Sequence, residues 1–166
     1  MAAAKPTAYI GVGSNLAGPR AQVERALERL ARLPESRLLG SSRPYRCAPW
    51  GVLDQPDFVN AAAAIETGLS PSALMQALLA IERDAGRDRN GERWGPRILD
   101  LDLLLYGALV LAEPGLQLPH PRLHERAFVL LPLVEIAPHL DVPGRGPISA
   151  LLAQVDTAGC HVIDTA

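Results

Sequence analysis

Apolar positions switch several times along this chain between a strand-like and a helix-like period, and the switches outline its elements. The run Ala8-Tyr9-Ile10-Gly11-Val12-Gly13 predicts a short buried strand, with turn chemistry in Gly13-Ser14-Asn15. Pro19 suits the first turn of a helix whose apolar stripe is Val23, Ala26, Leu27, Leu30 and Leu33, stopped by Pro34. Ser36 to Cys47 reads as a strand, with Arg43-Pro44 tolerable only at an edge or bulge. Residues 48–57 are loop by composition, and Phe58 to Thr67, through the alanines at 61–64, reads as the returning strand. Ser70-Pro71 starts a second helix, carried by Leu74, Leu78, Ile81 and Ala85 as far as Gly86. A polar loop then leads to a strand over Ile98–Tyr106, a turn at Gly107 and a hairpin return over Ala108–Leu111. Leu118-Pro119-His120-Pro121 is extended by its prolines, and Leu123 to Ile136 is helical, with Pro132 starting a second helix or kinking the first. A short helix near Ile148–Gln154 and a last strand at His161–Ile163 complete the pattern. With no repeat or linker, residues 1–166 are expected to form a single domain with a flexible start at 1–7. The order β, α, β, β, α, β predicts an α+β ferredoxin-like sandwich: an antiparallel sheet, helices on one face, and additions at the C-terminus.

One strand breaks the hydrophobic pattern. Asp100 and Asp102 stand two residues apart inside a leucine run, so on a strand they share a face with Cα atoms about 7 Å apart, while Leu99, Leu101, Leu103 and Leu105 line the other. Two charges at that distance repel by roughly 2–3 kcal/mol at an effective dielectric near 20. Acids are seldom buried unless paired or coordinating a metal, so either Arg97 and a neighbour satisfy them or they hold a hard divalent cation such as Mg²⁺. The preceding segment carries Arg83, Arg87, Arg89, Arg93 and Arg97. Planar guanidiniums bind phosphate oxygens in pairs, so arginines beside a carboxylate metal site suggest a polyphosphate substrate, although such a segment also reads as ordinary solvated surface. Gly11 and Gly13 lack both a third glycine in dinucleotide register and a Gly-Lys-Ser/Thr sequence, so they read as a tight structural turn.

Composition narrows the field. A chain of 166 residues, 48% hydrophobic and 20% charged, can bury a proper core, and a net charge of -2 argues against a general nucleic-acid binder. The two cysteines, Cys47 and Cys160, have neither metal-ligand spacing nor the density of a disulfide framework, which suits a reducing compartment. With no signal core and no apolar run of membrane length, the expectation is a cytoplasmic protein without membrane or nucleic-acid partners. A metal-dependent nuclease or nucleotidyltransferase could use the same aspartate pair, and a ferredoxin-like binding module could keep a nucleotide site without catalysis. The near-neutral charge weighs against the first, and the aspartates together with Arg87 and Arg97 weigh against the second.

Several separated blocks occur in matching order: Ile10 to Asn15, Asp54-Gln55-Pro56-Asp57-Phe58-Val59-Asn60, Gly86-Arg87-Asp88-Arg89, Arg93-Trp94-Gly95-Pro96-Arg97 with Asp100-Leu101-Asp102, and Leu118-Pro119-His120. From the first block to about Ile136 the chain closely resembles the 6-hydroxymethyl-7,8-dihydropterin pyrophosphokinases of folate biosynthesis. The resemblance implies transfer of the β,γ-diphosphate of ATP to the hydroxymethyl group of the dihydropterin, with release of AMP. It implies two Mg²⁺ ions held by Asp100 and Asp102, and charge stabilisation on the transferred group by Arg87 and Arg97. It also implies ATP contacts from Glu82, Arg89, Trp94, His120 and Arg126. The pterin would stack between Phe58 and Phe128, be read by Asn60, and be enclosed by the backbone around Cys47 and Trp50. The segments 48–57 and 86–97 become lids, and association with neighbouring folate-pathway enzymes, to which relatives are sometimes fused, follows as a partner expectation. Phe58 stands where some members carry tyrosine, Pro121 where some have an aromatic, and Leu79 where some have glutamine.

Overall fold

A computed structural model describes residues 4–49, 53–86 and 98–163. Of the expected flexible start, residues 1–3 lie outside these, and Thr7 already belongs to the first strand. The elements are β1 (Thr7–Ser14), α1 (Pro19–Ala31), β2 (Ser36–Ser41), β3 (Tyr45–Cys47), β4 (Phe58–Thr67), α2 (Pro71–Asp84), β5 (Asp100–Tyr106), β6 (Leu111–Glu113) and β7 (Leu116–Leu118). A 3-10 turn (Leu123–Glu125) precedes α3 (Ala127–Ile136), followed by β8 (Asp141–Val142), β9 (Gly146–Pro147), α4 (Ile148–Leu152) and β10 (Cys160–Val162). The main sheet runs β10-β3-β4-β1-β5 with β2 also on β4, and its pairs are antiparallel. This is the ferredoxin-like α+β arrangement the element order predicts.

Helices cover both faces of the sheet, not one. On the first face α1 and α2 bury Val23, Ala26, Leu30, Leu74, Leu78 and Ile81 against Ile10, Val12, Ala63 and Ile65. On the second, the C-terminal additions close the sandwich: Val129, Leu130 and Leu133 of α3 and Ile148 and Leu151 of α4 pack on Ala62 and Leu104. A strand covered on both faces reads as a continuous apolar run, and β4 is buried from Val59 through Ala64. Its alanines are what let helices approach from both sides.

Several predicted boundaries shift for local reasons. The Ser36–Cys47 strand is two strands, interrupted where Pro44 cannot donate to a ladder. The helical stretch breaks at Arg126, and Pro132 sits inside α3 instead of opening a new helix. Residues 108–111 do not return along β5; a separate hairpin of β6 and β7 forms around Gly115, where φ is 78°. That conformation favours glycine. A further small hairpin of β8 and β9, absent from the sequence reading, precedes α4.

Two corrections bear on the site. The leucines of β5 do not keep one alternation, because the register with β1 slips between Tyr9 and Ile10: Tyr9 faces Leu105 and Ile10 faces Leu103, leaving Leu104 as a bulged residue. Leu99, Leu101 and Leu103 lie in the first core, whereas Leu104 and Leu105 both lie in the second. Cys47 and Cys160, expected to stay unlinked, face each other across β3 and β10 and form a disulfide. No helix among the described residues is long and apolar enough to cross a membrane.

Candidate active site

The site is assembled on the face that α3 covers. Side chains directly opposite one another in an antiparallel pair share a face, so the register fixes who meets whom. Gly13 is opposite Asn60 on one side and Asp100 on the other, and Gly11 is opposite Ala62 and Asp102. One transverse row therefore reads Asp100, Gly13, Asn60, Tyr45, and the next reads Asp102, Gly11, Ala62. Cys47 is opposite Phe58, which brings both to the same face beside Asn60. At a strand spacing of about 4.8 Å, Asn60 stands roughly 10 Å from the aspartate strand, with the glycine strand between them.

Gly11 and Gly13 thus lie within β1 and not in a tight turn. Their missing side chains make room for the side chains of their neighbours, Asn60 over Gly13 and Leu104 over Gly11. A Cβ on Gly13 would fall 2.7 Å from Asn60 Oδ1, while one on Gly11 would lie 3.5 Å from Leu104 Cδ1, an ordinary contact. Strand glycine marks such a close approach, the signal in Gly-Val-Gly that the turn reading passed over. Asn60 itself is 6% exposed, and its Nδ2 has no hydrogen-bond partner among the described residues. A buried amide donor without an acceptor is costly unless a ligand supplies one.

Asp100 and Asp102 are half-buried. Positive charge reaches them from Arg126, the residue capping α3, whose guanidinium interacts with Asp102 and, less, with Asp100. Burial lowers the pKa of Arg126, and these two acids oppose that shift. Its guanidinium carbon also lies 5.6 Å from the ring centre of Phe128, so one arginine joins the carboxylates to an aromatic wall.

His120 follows β7 and the cis Leu118–Pro119 bond. Its backbone N–H donates to Leu104 O at 2.9 Å, which seats it beside β5. Nε2 lies 4.0 Å from Asp102 Oδ1, and Nδ1 accepts from the Arg122 N–H at 3.2 Å. Burial, helped by Arg126 and Arg122 and opposed by Asp100, pulls its pKa down to about 4. The imidazole is neutral near pH 7, with Nδ1 occupied as an acceptor and the proton on Nε2, aimed toward the acids.

A cleft of about 620 Å³ opens next to Asp102 and His120. Met75, Leu103, Leu116 and Gln117 are among its walls, and the turn of the β6-β7 hairpin forms its rim. Sequence reading missed this subsite because the hairpin was assigned to the wrong residues. Glu82, expected among the ATP contacts, is only 2% exposed, and its Oε2 accepts from the Leu101 N–H at 2.7 Å. It braces β5 between the two aspartates from the α2 side. Among the described residues no group of three or more His, Cys, Asp or Glu side chains converges on a metal position.

The structure therefore brings together Cys47, Phe58, Asn60, Asp100, Asp102, His120, Arg126 and Phe128 around one face. Trp50, Arg87, Arg89, Trp94 and Arg97 lie outside the described residues, as do residues 50–52 of the first segment expected to be a lid and 87–97 of the second.

Comparison with known proteins gives the family of the chain. The family model described as 7,8-dihydro-6-hydroxymethylpterin-pyrophosphokinase matches residues 9–138. A Pseudomonas aeruginosa protein named 2-amino-4-hydroxy-6-hydroxymethyldihydropteridine pyrophosphokinase is 50% identical over 145 residues, covering 87% of this chain and 89% of that protein. One of the same name from Methylorubrum extorquens is 43% identical over 157 residues, covering 95% and 98%. Among solved structures, a Plasmodium falciparum HPPK-DHPS superposes with a TM-score of 0.71 at 12% identity, covering 90% of this chain and 44% of that longer one, a likeness of fold. Matched in sequence from β1 to the end of α3 and in length by its bacterial relatives, this chain belongs to the 7,8-dihydro-6-hydroxymethylpterin-pyrophosphokinase family.

Proposed function

We propose that this protein transfers the β,γ-diphosphate of ATP to the hydroxymethyl group of 6-hydroxymethyl-7,8-dihydropterin, giving AMP and the pterin diphosphate. The observation that carries the site assignment is the transverse row Asp100, Gly13, Asn60. It sets a reader of a flat polar ring about two strand spacings from a pair of carboxylates, with nothing but glycine between. A dihydropterin bound over Asn60 can then direct its hydroxymethyl oxygen across the glycine strand toward a phosphate held over the acids.

Each residue has a separable task. The Asn60 Nδ2–H gains from an acceptor on the pterin the hydrogen bond it lacks. Phe58 and Phe128 stack against the ring, and the backbone at Cys47 and Trp50 encloses its edge. Asp100 and Asp102 are hard oxygen donors that suit two Mg²⁺ ions, whose other positions would be filled by water and phosphate oxygens. When bound, such ions supply charge neutralisation on the triphosphate. The neutral His120 offers its Nε2–H to a phosphate oxygen, and Arg126 adds fixed positive charge beside Asp102. The cleft edged by Leu103, Leu116 and Gln117 has room for the nucleoside of ATP. Arg87 and Arg97 stabilise the charge on the transferred group, with Arg89 and Trp94 on the nucleotide, as the family likeness implies. Glu82 acts on ATP indirectly, by holding the strand that presents the acids. Segments 48–57 and 86–97 close over the phosphates, and the protein works in the cytoplasm beside other folate-pathway enzymes.

The test is incubation with ATP, Mg²⁺ and the hydroxymethyl dihydropterin, followed by nucleotide and pterin chromatography. AMP and a pterin diphosphate are expected in equal amounts. ADP alone, or no reaction, overturns the reading.

A further inference from the structure

The mechanism leaves one covalent feature unused. The chain has two cysteines, 113 residues apart, and the fold sets them opposite each other on antiparallel strands. The Ala48 N–H donates to Gly159 O at 2.9 Å one step along the ladder, so Cys47 and Cys160 occupy a non-hydrogen-bonded pair, where side chains come closest. Their Cα atoms are 4.1 Å apart. Cys47 is 1% exposed and Cys160 half-buried, so Cys160 is the more accessible residue of the pair. Cys47 is also opposite Phe58 on its other side and leads directly into the segment that begins at Ala48. Beyond the disulfide, the three-residue β10 is an end strand whose His161 and Val162 are exposed.

We propose that Cys47 and Cys160 form a reversible thiol–disulfide site that takes a low-molecular-weight disulfide as its reaction partner and sets the wall of the pterin pocket. In the forward direction the Cys160 thiolate attacks the small disulfide, forming a mixed disulfide and expelling one small thiolate. Cys47, deprotonated, then attacks the Cys160 sulfur and expels the second. Two protein thiols and one small disulfide become one protein disulfide and two small thiols. Closed, the bond pins β10 to β3 and stiffens the strand carrying Cys47 beside Phe58. Opened, it leaves β10 joined to β3 without a covalent link, through backbone hydrogen bonds and the packing of Ile163 on the core. The link to pterin binding rests on the pocket proposed above.

The test compares the fully reduced protein with the same protein after equilibration with oxidised glutathione, and with Cys160→Ser under both conditions. Intact mass and thiol titration should show loss of two hydrogens and both thiols, restored by dithiothreitol. Closing a loop this long should raise the melting temperature by at least about 5 °C. The KM for the pterin should be about three- to tenfold lower in the oxidised form, with the KM for ATP within about twofold. Cys160→Ser should match the reduced protein and not respond. If no internal disulfide forms, or if it forms without changing the pterin KM, the proposal is overturned. If neither redox form turns over pterin, the pocket assignment has failed, and an absent disulfide or an unmoved melting temperature still overturns this site.

Discussion

Replacing Gly13 by alanine isolates the geometry on which the site assignment depends. The new Cβ would lie 2.7 Å from Asn60 Oδ1, well inside ordinary contact, and the obstacle is a buried amide with little room to yield. To relieve the overlap the Asn60 side chain must move by roughly 0.7 Å or change rotamer, enough to misdirect a hydrogen bond. Losing one such bond in a buried pocket costs about 1–3 kcal/mol, or roughly 5- to 150-fold in pterin affinity. Gly11→Ala is the internal control, because the nearest atoms to its Cβ belong to Leu104 at ordinary van der Waals distance, and its pterin affinity should stay within about threefold. Titration of pterin fluorescence at saturating non-hydrolysable ATP measures both. Asn60→Ala should lose a similar factor, and Gly13→Ala combined with Asn60→Ala should be no worse than Asn60→Ala alone, since both act through one contact. Wild-type affinity in Gly13→Ala, or full additivity in the double variant, refutes the reasoning.

Asp100→Ala and Asp102→Ala should each lower turnover by at least about 10²-fold while the circular dichroism spectrum and melting temperature stay near wild type; a steady-state assay with a Mg²⁺ titration checks this. For Arg87→Ala and Arg97→Ala the loss should fall on kcat, with pterin affinity little changed, as separate rate and binding measurements would show. A pH prediction concerns Tyr45, whose hydroxyl donates to Glu135 Oε1 at 2.5 Å. Burial first, and then the Glu135 carboxylate, raise its pKa from 10.0 to about 12. Between those values the folded protein holds a proton that the unfolded chain releases, so stability is full below pH 10 and falls toward 12. Tyr45→Phe should flatten that alkaline decline in denaturant midpoints, although Tyr9 and Tyr106, also raised by burial, leave part of it.

The sequence was most legible where one local rule dominated. Phe58–Thr67 came out with its true ends because loop composition stops on one side and Gly68 on the other, and Ser70 caps α2 through its bond from the Ala73 N–H. The aspartate pair stood out because charge within a leucine strand violates burial preferences. What stayed hidden depended on partners distant in sequence. The bulge at Leu104 is a property of pairing with β1, not of β5 read alone. The second covered face was implicit in the alanines of β4, but their small size says only that something approaches closely. Cys47 and Cys160 meet only because the chain's last strand joins β3 at the far edge of the sheet. Arg126 is a described cation beside the acids, brought there by the start of α3, while Arg97, the candidate near them in sequence, lies outside the described residues.

The alanine run of β4 also acts as a calliper. Ala62 is 1% exposed under α3, and Phe128 rides on the first turn of that helix, packed against the same cluster. The height of α3 above Ala62 therefore sets the gap between Phe128 and the strand bearing Phe58. In the proposed pterin pocket, side chains at residue 62 would be shims: each added methyl would lift Phe128 relative to Phe58, so ring substituents would be selected from a position outside the ligand's contacts.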